Sequence, residues 1–266
     1  MVNKIKTLSE YLSAVAVELK FFEESTGPTW FRGTSNCDHK LIPNIYRDFV
    51  QDDYAERELT RDFKLLSRQF IKNDMPHSDL EWMFLMQHYG LSTRLLDWSE
   101  SSLIALFFAV KYYENNCDAA VWIFDPYQFN VSINKMDTVP ASTNRFFFSK
   151  YLLDTDGPKR KGVCDAEKPI AIRAVKNSTR ILAQKGTFTL HGKEIIAIED
   201  YVTNFNIIGK GDKIQMTKLI IDGNKKFSLM KELYYSGISH SVIFPEIDMV
   251  SEELKFRYSK KFLESS

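Results

Sequence analysis

Three short stretches of the chain set chemically able side chains among rings and glycines. The first is Trp30-Phe31-Arg32-Gly33. An arginine in so apolar a stretch is costly unless it is paired or meets an anion, and its planar guanidinium suits a phosphate or a carboxylate. On spacing alone, a buried ion pair with Asp97 or another acid is the better explanation. Gly33 admits either a close approach to the backbone or a plain turn. The second stretch, Gln87 to Trp98, holds His88, Tyr89, Thr93, Arg94 and Asp97 within twelve residues. His88 suits a general base or a ring-nitrogen donor to a ligand, or the cap of a helix end. Arg94 and Asp97 fall on opposite faces of an ideal strand, so a direct pair between them requires a turn. Trp98 reads as core. The third stretch, Arg180 to Thr189, sets Gln184, an acceptor and a double donor, before the turn at Gly186. A surface helix end would account for Gln184 as well. If the three stretches serve one site, Arg32, Asp97 and Gln184 must converge in space.

The elements that would position these residues follow from periodicity and capping. Thr7-Leu8-Ser9-Glu10 matches a capping box and predicts a helix running to about Glu24, stopped at Gly27-Pro28. Thr29 to Arg32 reads as a short strand ending at Gly33. Helices are predicted over Ala55–Lys72, with Leu59, Phe63, Leu66 and Phe70 on one stripe, and over Leu80–Tyr89, capped by Asp79 and closed by Gly90. Leu91 to Trp98 is extended. Ser101-Ser102 then cap an apolar helix from Leu103 to about Glu114, and Ala119 to Phe124 is a buried strand. The stretch from Asn130 to Lys168 has little periodicity. Strands follow at Ile170–Ala174, Thr187–Leu190, Glu194–Ile198 and Ile214–Ile221, with a short helix between Asn177 and Gln184. Helices at about Lys226–Ser236 and Asp248–Phe262 flank a loop from Gly237 to Pro245. No repeat or linker divides the chain. The expected architecture is one α+β domain, a mixed β-sheet core flanked by helices, in which an N-terminal helical segment (1–28) precedes the main body (29–266).

Composition narrows the function classes. The 35 basic and 35 acidic residues cancel, so no global field holds nucleic acid or an anionic membrane, and the basic stretch Lys159-Arg160-Lys161 could serve only locally. Cys37, Cys117 and Cys164 lack metal-ligand spacing and fit a reducing compartment. With no apolar run near 20 residues and no leader-like start, the chain reads as soluble and cytoplasmic. The five histidines lack ligand spacing, so no metal is expected. Dinucleotide, phosphate-loop, zinc-protease and serine-hydrolase motifs are missing. Aromatic residues make up 14% of the chain, which suits a core or a groove built from rings.

Together the stretches resemble the FRG-domain family, named for a Phe-Arg-Gly that stands here as Phe31-Arg32-Gly33. The family's WFRG falls on Trp30 to Gly33, and its Leu-x-Pro-x-x-x-Arg on Leu41, Pro43 and Arg47. Its QHYGLPTRLLDW falls on Gln87 to Trp98, with Ser92 where proline is usual. Its RI-x-x-Q-x-G-x-F falls on Arg180, Ile181, Gln184, Gly186 and Phe188. The resemblance spans Thr29 to Gly192, and the tail Gly237 to Asp248 is similar to the family's GI…FP element. Ser92 affects the rigidity of its turn. Members resemble bacterial and phage proteins linked to toxin or phage-defence systems.

A weaker resemblance is to the ADP-ribosyltransferase fold, through the order Phe31-Arg32-Gly33, then Leu95 to Trp98 leading into Leu103 to Ala109, then Gln184. It implies an NAD-binding ADP-ribosyltransferase or NAD glycohydrolase, with NAD as substrate and Arg32, Asp97 and Gln184 as catalytic residues. On the same resemblance, Phe31, Gly33, His88, Tyr89, Thr93, Arg94 and Phe188 would contact NAD or another nucleotide ligand. Gln184 is neutral where a carboxylate would better face an oxocarbenium-like state, so Asp97 would supply the charge. The competing expectation is a non-catalytic module for a protein or nucleic acid partner, in which Arg32, His88, Arg94 and Asp97 form a buried polar network. A nuclease ranks below both, because no acidic cluster is present to hold Mg²⁺.

Overall fold

Six strands build one sheet in the order β4-β5-β2-β1-β3-β6. The computed structural model describes residues 4–22, 27–48, 53–71, 75–143, 148–152, 166–175, 178–208 and 213–264. In chain order its elements are α1 (Leu8–Leu19), β1 (Trp30–Thr34), α2 (Ile45–Asp48), α3 (Asp53–Ser67), α4 (Asp79–His88), β2 (Leu95–Ser99), α5 (Ser102–Val110), β3 (Ala119–Phe124) and α6 (Pro126–Asn134). They continue with β4 (Ile170–Ile172), α7 (Thr179–Ala183), β5 (Gly186–Leu190), α8 (Ile198–Ile208), β6 (Met216–Ile221), α9 (Lys226–Tyr235), α10 (His240–Ile243), α11 (Ile247–Arg257) and α12 (Lys260–Glu264).

The alternation of β1 explains its central place. Phe31 faces a core formed with α1, α5, α9 and α11, while Trp30 joins Trp98, Trp122, Phe124 and Phe129 on the opposite face, closed by α8. Every residue of β3 is buried, as its unbroken apolar run requires. Leu95, Phe188 and Leu190 pack with Leu80 from α4 in a third cluster at the β4 end. No helix among the described residues is long and apolar enough to cross a membrane.

Several expectations need correction. The sheet is not mixed: each of its five ladders is antiparallel, and parallel pairing is confined to the isolated bridges Ile5–Ile221 and Ala141–Arg173. The strand expected at Glu194–Ile198 is absent. That segment is irregular and leads into α8, whose Ile198, Tyr201 and Val202 follow helical spacing and are buried. Ser78, not Asp79, caps α4, accepting the Glu81 amide at 3.2 Å, while Asp79 pairs with Lys64 at 2.5 Å. Helix α5 ends at Val110 rather than near Glu114, and α1 gives way to a 3₁₀ turn over Lys20–Phe22. Helix α3 stops at Ser67, and Leu66 and Phe70 of its expected apolar stripe are exposed. Helix α6 went unread in the sequence, although Asp125-Pro126 marks its start: the Asp125 carboxylate accepts the Gln128 amide at 2.9 Å and proline takes the first turn. Lys159-Arg160-Lys161 and Cys164 lie outside the described residues.

Candidate functional site

The sheet is two three-stranded halves joined at a single point. Strand β2 pairs with β5 over five residues and β1 with β3 over five, yet β1 and β2 meet only at Phe31–Ser99. Beyond that pair the strands part. A splayed pair leaves backbone groups without ladder partners, and these must be satisfied otherwise. Arg32 does so by donating from Nη1 to the Asp97 carbonyl across the gap. Its distance to the Asp97 carboxylate is 4.0 Å, so the ion pair considered from sequence is the lesser contact.

A cleft of about 450 Å³ opens in the gap, within the range of small-molecule sites. Strand β1 contributes Phe31 to Thr34, and β2 contributes Asp97 to Ser99. One wall is α5 with Ala105 and Phe108 and the segment after it with Lys111 and Tyr112. The other holds Arg180, Gln184 and Phe244. Among the described residues, Lys40 and Arg47 complete a set of five cationic side chains with Arg32, Lys111 and Arg180 against one lining carboxylate, Asp97, and of these Lys40 is already paired with Asp200 at 2.8 Å. The cations lie among rings: Arg180 is 4.8 Å above the Phe244 centroid, and Lys111 is 4.8 Å from the Tyr112 centroid and 5.1 Å from that of Phe108. Burial pushes the Arg32 guanidinium below its usual value, with Asp97 opposing that shift. Such a cleft attracts an anion that carries flat groups.

The structure brings Arg32, Asp97 and Gln184 to this one cleft. The Asp97 carboxylate, 58% exposed, accepts two bonds from the Gln87 amide at 2.9 and 3.0 Å. Gln184 ends α7, its carbonyl accepts the Ser99 hydroxyl at 2.8 Å, and its amide donates to the Ile243 carbonyl at 3.3 Å. Gly33 has a packing reason of its own. A Cβ there would stand 1.9 Å from the Ala105 carbonyl oxygen and 2.6 Å from the Ala109 nitrogen, so only glycine lets α5 lie on β1.

The remaining expected contacts disperse. Thr93 is buried, donates to the Gln87 side chain and accepts the Leu95 amide at 3.1 Å, so it holds the turn. Arg94 is buried and pairs with Glu56 of α3 at 2.6 Å, not with Asp97. His88, Tyr89 and Phe188 line a neighbouring cavity rather than the cleft. The expected network of Arg32, His88, Arg94 and Asp97 is therefore split: Arg32 and Asp97 meet, while Arg94 and His88 serve other contacts. Sequence reasoning gave no role to Phe108, Lys111 or Phe244. The i, i+3 spacing of Phe108 and Lys111 at the end of an apolar helix was the available signal for two of them.

Among the described residues no group of His, Cys, Asp and Glu is arranged to hold a metal ion. Compared with known families, residues 27–118 match the FRG domain. The match takes in β1, β2 and α5, while Arg180, Gln184 and Phe244 lie beyond it. No curated protein and no solved structure matches the chain.

Proposed function

On the premise that this chain carries an FRG domain over residues 27–118, we propose that it is an ADP-ribosyltransferase-like protein that binds NAD in the cleft between β1 and β2 and cleaves the bond from nicotinamide to ribose. The observation that supports this reading is the parting of β1 and β2, which among the described residues sets Arg32, Arg47, Lys111, Arg180 and several rings around one lining carboxylate, Asp97. Arg32, Lys111 and Arg180 neutralise the diphosphate, and the rings of Phe108 and Phe244 offer stacking faces. As the carbon–nitrogen bond breaks, its electron pair leaves with nicotinamide and positive charge develops on the ribose. Asp97, held by Gln87, faces that charge. Gln184, fixed by Ser99 and Ile243, contacts a ribose hydroxyl through its side chain.

The test is nicotinamide release from NAD by the purified protein, followed by mass spectrometry and run beside Arg32→Lys and Asp97→Asn. Release that is lost in both variants, with their melting unchanged, supports the reading. Absence of NAD binding by calorimetry at millimolar concentration overturns it. A second reading, a ligand-binding module without turnover, is favoured by the tethering of the Gln184 amide to a backbone carbonyl. NAD binding with no nicotinamide released would establish that one. A toxin role predicts growth arrest on expression in bacteria, relieved by Arg32→Lys.

A further inference from the structure

A smaller cavity of about 220 Å³ adjoins the cleft and shares with it Gln87, Asp97, Arg180 and Gln184. Its character differs. Phe84 and Phe188 form a wall with centroids 4.9 Å apart, Leu85 and Ile181 add hydrocarbon, and Tyr89 stands 70% exposed at the rim. A dry apolar cavity of about 150 Å³ holds one benzene, so this one has room for a single substituted ring. The cation it shares is already placed: Arg180 lies over Phe244 of the larger cleft and donates to the His88 carbonyl at 2.7 Å. The other ionisable groups on its walls are His88, Glu81, Asp97 and the Tyr89 phenol, and Glu246 Oε1 lies 3.7 Å from His88 Nε2. Those carboxylates repel a polyanion and leave an uncharged ring as the fitting occupant.

His88 adds chemistry to that shape. Its ring meets Tyr89 edge-on at 4.8 Å, and burial together with Arg180 holds the imidazole below its usual value, with Glu246 opposing. A neutral imidazole at neutral pH accepts a proton.

We propose that the smaller cavity is the acceptor site, and that the acceptor is an aromatic hydroxyl, the phenol of a tyrosine on a partner protein. The assignment rests on the NAD-cleaving reading of the adjoining cleft. Nicotinamide departs with the electron pair of its bond to ribose, the phenol oxygen bonds to the anomeric carbon, and the phenolic proton passes to His88 and then to water. Asp97 and Gln184, common to both cavities, stand where the two substrates meet.

The experiment incubates the full chain with NAD and N-acetyltyrosinamide and quantifies nicotinamide, free ADP-ribose and the ADP-ribosyl ether by mass spectrometry. The expected result is an ether on N-acetyltyrosinamide and none on N-acetylphenylalaninamide. Ile181→Trp, which fills the cavity from α7, lowers the ratio of ether to free ADP-ribose at least tenfold, and His88→Gln lowers it likewise. Should Ile181→Trp fail to fold, Tyr89→Ala at the exposed rim takes its place and raises the acceptor concentration needed for half-maximal transfer. Nicotinamide release without ether, ether formation equal in Ile181→Trp, or transfer to an oligonucleotide instead each overturns the acceptor assignment. If no nicotinamide is released, the NAD reading and the acceptor role fail together. The cavity's preference for a phenol is then read separately from p-cresol shifts of the His88 ring resonances, whose absence refutes it.

Discussion

Replacing Gly33 by alanine tests whether β1 and α5 are locked by backbone contact. The added methyl would meet the Ala105 oxygen at 1.9 Å and the Ala109 nitrogen at 2.6 Å. Ordinary contact lies near 3.5 Å, so strand and helix must separate by on the order of 1 Å. Both obstructing atoms are main chain, and no rotamer change relieves them. Overpacking costs about 1–3 kcal/mol, and the rigid neighbours put this case near 3 kcal/mol. At about 2–4 °C per kcal/mol for a domain of this size, the melting temperature falls by roughly 6–12 °C. Gly90 supplies the control. Its φ of +82° strains any L side chain, but a Cβ there meets nothing within 4 Å. Gly90→Ala therefore costs about 1–2 kcal/mol of conformational strain alone. Calorimetric melting of the two variants beside the parent decides the matter. A Gly33→Ala protein that melts within about 2 °C of the parent, or above Gly90→Ala, refutes the packing argument. Because α5 carries Phe108 into the cleft and Lys111 directly follows it, Gly33→Ala also weakens NAD binding on the proposed reading.

Glu56→Gln removes a carboxylate partner of Arg94, whose side chain is 3% exposed, and lowers unfolding free energy in urea by about 3–5 kcal/mol; a loss under about 1 kcal/mol would mean that the pair contributes little. Burial holds His191 at a pKa of about 3, below its ordinary 6.5, so the folded protein keeps it neutral while the unfolded chain takes up a proton. The resulting stability is complete above about pH 6.5 and falls as the pH drops toward about 3, by about 2 kcal/mol at about pH 5. His39, His88 and His240 shift in the same direction, so His191→Gln flattens this slope without abolishing it, and an unaltered slope would refute the assignment. Asp97→Asn changes a 58% exposed side chain and leaves the melting temperature within about 2 °C, while on the proposed NAD-cleaving reading nicotinamide release falls at least about 100-fold; equal rates in variant and parent would remove Asp97 from the proposed chemistry.

Much of the local structure was legible in the sequence because its causes are local. Thr7 accepts the Glu10 amide as the capping box requires, Gly90 takes the left-handed turn after α4, and the apolar run Ala119–Phe124 is a strand buried along its length. Helix α6 had a local signal in Asp125-Pro126. The missing strand at Glu194–Ile198 shows the ambiguity of short apolar runs, which α8 resolved by burying Ile198 against the sheet. The residue types of the candidate site were legible too, since an arginine in an apolar strand and a glutamine before a glycine turn are unusual wherever they fold.

Tertiary structure decided what those residues touch. The parting of β1 and β2 depends on β2 pairing with β5 and β1 with β3, each across dozens of residues, and no local pattern encodes the gap between them. Arg32 therefore meets a backbone carbonyl rather than a carboxylate, Arg94 finds Glu56 instead of Asp97, and His88, Tyr89 and Phe188 turn to a second cavity. Gly33, open from sequence to a turn or a ligand, is required by the helix packed on it. Which side chains are able to do chemistry, and the turns that carry them, follow from local sequence, because propensity and capping act over a few residues. Which of them share a cleft depended on long-range pairing, because burial and strand register are set by the whole chain at once.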